Sequence, residues 1–309
     1  MRALVIGGGG SKGAFAGGIA QYLIEQKGRE YDILAGTSTG SLLVPHLAIN
    51  NIDNIRKAYT SVSQEDIYNV SPFVIKDKPS GVETRINHMN IIQMFLKGKK
   101  TFGEHLNLLK NVRRTMSPEE FKRVQCCGKK VIVSVANLSL NIVEYKYATD
   151  YDYEDFTEWM WTSTSFVPFM GIVEKDGYEY ADGGFGSIIP IEEAINAGAT
   201  EVDVIVLKPR YNMPNKAQTN NAFDVLLKAM EFMHNRIARN DLYIGHLQSV
   251  YDKKVNVNFI FTPRVLTEYS FIFDPDEMTA WWEEGIEYAA KLDANGQLDH
   301  PSDKKLGVE

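Results

Sequence analysis

The sequence predicts an α/β fold with a mostly parallel central sheet and helices on both faces. Three observations carry this. Strand, helix and strand follow one another within residues 1–36, and strands joined by a helical crossover lie parallel. Later strand-like runs, "KVIVSVANLS" and "EVDVIVLK", are separated by helical ones. The chain has 309 residues, 44% of them hydrophobic and 24% charged, which is ordinary for a globular protein with a sizeable core.

In order, "ALVI" is a short buried strand. A glycine loop opens the helix "AFAGGIAQYLIEQK", which Gly28 closes. "YDILA" is the second strand. A helix follows Ser38 to about Asn50, kinked by Pro45, and "DNIRKAYTSV" is another. Residues 64–128 mix Pro, Gly, Lys and Asn with short apolar runs, and read as an irregular insertion over the sheet edge. Two strands return with "KVIVSVANLS" and "NIVEYKYA". "YEDFTEWMWTSTS" is helical, and "GIVEKDGYEYADGG" is a hairpin turning at Asp176-Gly177. "PIEEAINAGA" is a short helix and "EVDVIVLK" a strand. The long helix at 222–239 carries Phe223, Leu226, Leu227, Met230, Met233 and Ile237 as a core stripe. A strand, "VNVNFIFTP", and a helix, "PDEMTAWWEEGIEYAAKL", end the fold, and a polar tail frays from about Asp293. The expected organisation is a core over 1–210, with the insertion or lid at 64–128, a packed extension over 211–293 and a tail at 294–309.

A net charge of −7 argues against nucleic acid as a partner. The adjacent Cys126 and Cys127 read as free thiols of a reducing compartment. No apolar run is long enough to span a bilayer, and the one before the glycines is too short for a signal-peptide core. A cytoplasmic protein, or one peripheral on a membrane, is expected. "DYDYED" lacks the Gly and Glu of a calcium loop, and no His/Cys cluster suggests a transition metal, so neither metal nor cofactor is expected. "IIQMFLKGKK" pairs apolar residues with three lysines: a core element with a basic turn, or a lid that touches membrane.

Chemistry concentrates in three short stretches. "GTSTG" sets Ser38 between Gly36 and Gly40 at a strand–helix junction, the form of a nucleophile elbow. "GGGGSKG" lies between the first strand and helix. Gly8, Gly10 and Gly13 fit a dinucleotide loop, but the nearest acid, Asp32, stands at the wrong end of the second strand. The other use of such a loop is an oxyanion hole, whose amides approach a carbonyl unobstructed. The third stretch is Asp182-Gly183-Gly184, after a strand; taken alone, it reads as a turn. None of His46, His88, His105, His234, His246 and His300 has a distinctive setting.

Together these stretches resemble the patatin-like phospholipase family: a glycine-rich loop near the N-terminus, a G-x-S-x-G elbow after the next strand, and a later D-G-G. "STSFVPF" and "IPIEEAINAGA" also look like family segments on either side of the aspartate. The resemblance spans roughly residues 1–210. Lys12 stands where many members carry Arg, which keeps the charge but not the planar fork. The resemblance implies the patatin-like three-layer fold and a Ser–Asp dyad without histidine. It makes Ser38 the nucleophile and Asp182 the base, with Gly8, Gly9 and Gly10 around the oxyanion. It also implies a lipid ester as substrate, met at a membrane or micelle interface, and an acyl-enzyme resolved by water. Two other readings compete: a Ser38–Asp182–His triad using His234 or His246, and a non-catalytic nucleotide-binding module.

Overall fold

The computed structural model describes residues 1–78, 81–211, 219, 221–251 and 255–298. In chain order the elements are β1 (Arg2–Ile6), α1 (Gly13–Gln21), β2 (Ile33–Thr37), α2 (Thr39–Ala48), α3 (Ile52–Ser61), α4 (Gln64–Ile67), β3 (Phe73–Lys78), β4 (Gly81–Ile86), α5 (His88–Leu96), α6 (Leu106–Thr115) and α7 (Pro118–Cys126). There follow β5 (Lys130–Asn137), β6 (Ile142–Tyr147), α8 (Tyr153–Thr162), β7 (Val173–Lys175), β8 (Tyr178–Asp182), α9 (Ile191–Asn196), β9 (Glu201–Pro209), α10 (Ala222–Tyr251), β10 (Asn256–Thr262) and α11 (Pro275–Ala294).

The main sheet is 8-stranded, ordered β10-β9-β1-β2-β5-β8-β7, with β6 also paired to β5. From β10 to β5 the strands are parallel; β6, β7 and β8 are antiparallel to their neighbours. Successive side chains of a strand point to opposite faces, so Leu4 and Ile6 enter one core while Ala3 and Val5 enter another. Residues of α1, α2, α8 and α11 fill the first core, and residues of α9 and α10 line the second. This is the expected α/β architecture, a mostly parallel sheet covered on both faces.

Several local expectations change. The second strand begins at Ile33 and runs two residues further than "YDILA", as far as Thr37, because its ladder with β5 continues to Thr37 opposite Ser134. Helix α1 continues through a π-helical turn at Tyr22–Gln26. The 64–128 region is more regular than its composition suggests, with four helices and the antiparallel pair β3–β4. Buried Leu108, Val112, Phe121 and Val124 anchor its α6 and α7 in the first core. The core stripe of α10 is incomplete: Met230 is buried, but Met233 is 50% exposed, since the helix lies over the surface and offers one shallow face. Of the expected tail, Leu298 is buried and its carbonyl accepts from Arg29 and Asn258, while 299–309 lie outside the described residues. The acidic run at 150–155 ends in a helix cap, with Asp152 accepting from the Asp155 amide. Cys126 and Cys127 are free. Among the described residues, no helix is long and apolar enough to cross a membrane.

Candidate active site

The register of β5 assembles the site. Strand β2 pairs with β5 up to Thr37 opposite Ser134. Strand β8 takes over at once, with Asp182 opposite Val135. Because β6 occupies the other edge of β5 over the same residues, β2 and β8 share one edge. Ser38, the residue after β2, therefore meets Asp182, the last residue of β8. The Ser38 side chain and the Asp182 carboxylate are so brought together that the hydroxyl favours the ionised carboxylate, which accepts from the Gly184 amide at 2.8 Å.

Ser38 sits in a strained turn with φ 55 and ψ −122, a conformation costly for a residue with a side chain and characteristic of a nucleophile elbow. Its surroundings hold it there. The Ser38 amide donates to Ser163 Oγ at 2.9 Å, and Ser41 Oγ donates to the Ser38 carbonyl at 2.5 Å. The turn closes because Gly40 lies against the end of β1: a Cβ there would stand 2.2 Å from the Ile6 carbonyl oxygen. Gly36 packs on Gly40 in turn. Ser38 also begins α2, whose N-terminal dipole favours negative charge at this point.

The glycine loop lies beside Ser38, with the Cβ position of Gly8 3.2 Å from Ser38 Cβ. Sequence reasoning grouped Gly8, Gly9 and Gly10 as oxyanion donors. The structure separates them, for the Gly8 amide donates to the Ile188 carbonyl at 2.9 Å. Among the described residues, no protein acceptor is found for the amides of Gly9 and Gly10. Gly10 has φ +57, and a side chain there would strike the Ser270 carbonyl. That carbonyl also takes the Ser11 amide at 2.9 Å, so the segment after β10 shapes the loop. Gly13 opens α1 under Thr39, and Gly183 lies on Ser134. Lys12 folds back over Gly9. Burial lowers its pKa to about 8, with Glu231 opposing, and lowers that of Lys208 to about 7 with Lys12 adding repulsion.

Asp182 is 3% exposed. Burial raises its pKa to about 7, while the Gly184 amide and the Ser38 hydroxyl pull it down. A carboxylate so placed is a far stronger base than one in water. Ser38, Gly10 and Asp182 line one largely apolar cavity of about 100 Å³.

His234 and His105 are engaged with other groups. His234 packs on Phe166 and Phe185, with Nδ1 2.8 Å from the Met230 carbonyl. His105 is buried between Ser165 Oγ, the Gly171 amide and the Trp161 ring. Among the described residues, no histidine is bonded to Ser38 or Asp182; His300 lies outside them.

Sequence reasoning missed Asp241. This buried residue of α10 accepts from the Ile189 amide at 2.8 Å, and Ile188 in turn holds Gly8. Burial raises the Asp241 pKa to about 7 against the pull of those amides. Nothing local in a long helix marks such a residue. Ser163 had a weak signal, a small-residue run before a proline.

Among solved structures, the chain is similar to the crystal structure of VipD from Legionella pneumophila. The two are 13% identical with a TM-score of 0.47, and the match covers 95% of this chain and 67% of that one. No curated protein matches it. The description "Patatin-like phospholipase" matches residues 4–195, from β1 past Ser38 and Asp182 into α9. With more than half its length so matched, the chain belongs to the patatin-like phospholipase family, a family of lipid ester hydrolases.

Proposed function

We propose that the protein hydrolyses carboxylic esters of lipids, phospholipid or acylglycerol, through Ser38 and Asp182. The observation that carries this reading is the buried Asp182 carboxylate brought up to the hydroxyl of a strained serine, both lining one apolar cavity. Ser38 Oγ attacks the ester carbonyl as Asp182 takes its proton. The oxyanion that forms is met by the free amides of Gly9 and Gly10, assisted by the α2 dipole. Asp182 returns the proton to the departing alcohol. A water activated by the same carboxylate then releases the fatty acid from Ser38.

The lipid is met at an interface. Helix α5 buries Ile91 and Met94 but leaves Phe95 54% and Leu96 83% exposed. Phe95 connects through Phe102 and Phe169 to Phe166 on the cavity wall. An apolar helix face linked to the cavity wall by these rings suits contact with acyl chains.

The test is labelling with a fluorophosphonate, which forms a covalent adduct with an activated serine. Wild-type protein labels at Ser38. Ser38→Ala neither labels nor hydrolyses an ester, with its circular dichroism unchanged. Labelling of Ser38→Ala at the wild-type rate removes Ser38 from the mechanism.

A further inference from the structure

The cavity that opens at Ser38 runs along α2. Thr39, Leu42 and His46 all line it, and their spacing puts them on one face of the helix. Helix α3 runs back antiparallel beside it. The Asn51 amide, just before α3, donates to the His46 carbonyl at 2.9 Å, and Tyr59, near the far end of α3, meets Thr39 at 2.7 Å. Ile55 of α3, midway between Asn51 and Tyr59, also lines the cavity. Along α2 the channel thus runs from the nucleophile as far as His46, 1% exposed, with Ile55, 3% exposed, beside its middle.

We infer that this channel holds the acyl chain of the substrate and that His46 sets its length, giving a preference for chains of about eight carbons. The inference rests on the hydrolase reading above and adds to it which acyl chain is taken. From Thr39 to His46 the helix rises about 10 Å at 1.5 Å per residue. An extended chain with carbon–carbon bonds of about 1.5 Å advances about 1.3 Å per carbon, so about eight carbons reach the imidazole. Burial lowers the His46 pKa to about 4, against the opposing charge of Glu120. The ring is therefore neutral at physiological pH and can close an apolar channel without a buried charge. The flank of the cavity toward Asn111 and Arg114 is polar, and an apolar chain gains nothing by leaving that way. His46 Nδ1 is buried with no hydrogen-bond partner among the described residues, so replacing it with an apolar group breaks no hydrogen bond of that atom.

The experiment is a kcat/KM profile over p-nitrophenyl esters with acyl chains from four to sixteen carbons. Each methylene that enters the channel adds about fourfold, so wild type climbs on the order of a hundredfold from the four- to the eight-carbon ester. It then drops by about tenfold or more at twelve carbons. His46→Ala shifts the maximum about two carbons longer and raises the twelve-to-eight ratio about tenfold. Leu42→Trp, which blocks the channel halfway, shifts the maximum to four carbons. Should His46→Ala not fold, the wild-type profile and Leu42→Trp decide alone. A profile that is flat, or highest at fourteen or more carbons, with Ser38-dependent turnover intact, overturns the inference but leaves the hydrolase reading standing. Absence of turnover on every ester overturns both.

Discussion

The carboxyl edge of the sheet and the outer surface of α5 and α10 treat their side chains in opposite ways. At the sheet edge three groups are each held by a hydrogen bond. The Ser38 amide is tied to Ser163, Gly8 to Ile188, and Asp182 to Gly184. On α5 and α10, large apolar residues such as Leu96 and Phe232 face water with no protein partner covering them. The first region is built to keep a strained geometry fixed, since preorganised donors need not reorganise during reaction. The second gains nothing from burial within the protein and is available to something outside it. The proposed chemistry and the proposed interface thus fall on separate elements, joined by the aromatic series from Phe95 to Phe166.

The sharpest way to break this contrast is at Asp182. Asp182→Asn keeps the shape and removes the proton acceptor, so kcat should fall by about 10²–10⁴. His234→Gln and His246→Gln should each keep most activity; a folded histidine variant as inactive as Asp182→Asn would restore the triad. The acid limb of kcat/KM should lie near pH 7, because the base works only when ionised and burial raises its pKa to about 7. A histidine base would titrate close by, so the mutants, not the pH profile, decide between them. The linkage to stability has a definite sign. Between its ordinary value and about 7, the folded protein holds a proton on Asp182 that the unfolded chain has lost. Stability from this group is therefore full below pH about 4 and is lost as pH rises toward 7. Asp182→Asn should flatten that decline, as urea unfolding at pH 4.5 and pH 8 would reveal.

A smaller effect is expected at Asp241, which touches no reacting atom but holds the segment that holds Gly8. Hydrogen bonds to a buried charge are worth about 1.5–3 kcal/mol. Asp241→Asn should thus lower kcat on the order of tenfold, with a smaller change in KM. An equal loss in kcat for a slow and a fast ester would support misplacement of the loop. Unchanged kcat would mean that the Gly8 contact is fixed without α10.

The smallest effect belongs to the outer helix. Phe95→Ser with Leu96→Ser should lower the rate on phospholipid vesicles several-fold relative to that on a soluble short-chain ester, by removing apolar area from the interface. An unchanged ratio of the two rates would assign the exposed face of α5 some other role.

By itself the sequence determined the elements that local chemistry dictates. The strand–helix–strand opening, the turn at Asp176-Gly177 with both residues at positive φ, and the ordered glycine loop, elbow and Asp-Gly-Gly could all be read because turns and strand ends draw on few residue types. What it could not supply were long-range contacts. The Gly17-Gly18 pair within α1 is unfavourable in an isolated helix and is explained by α11, whose Trp282 carbonyl comes to 2.0 Å of the position a Gly18 Cβ would take. Gly8 and Gly10 look alike in sequence, yet one amide is consumed by Ile188 and the other is free. Asp241 and His46 sit in ordinary helical surroundings, and only packing brings one to the segment that holds the loop and the other to the lining of the cavity. The meeting of Ser38 with Asp182 depends on β2 and β8 sharing one edge of β5. That is a matter of strand register, which arises from pairing between distant segments and leaves no mark in either one alone.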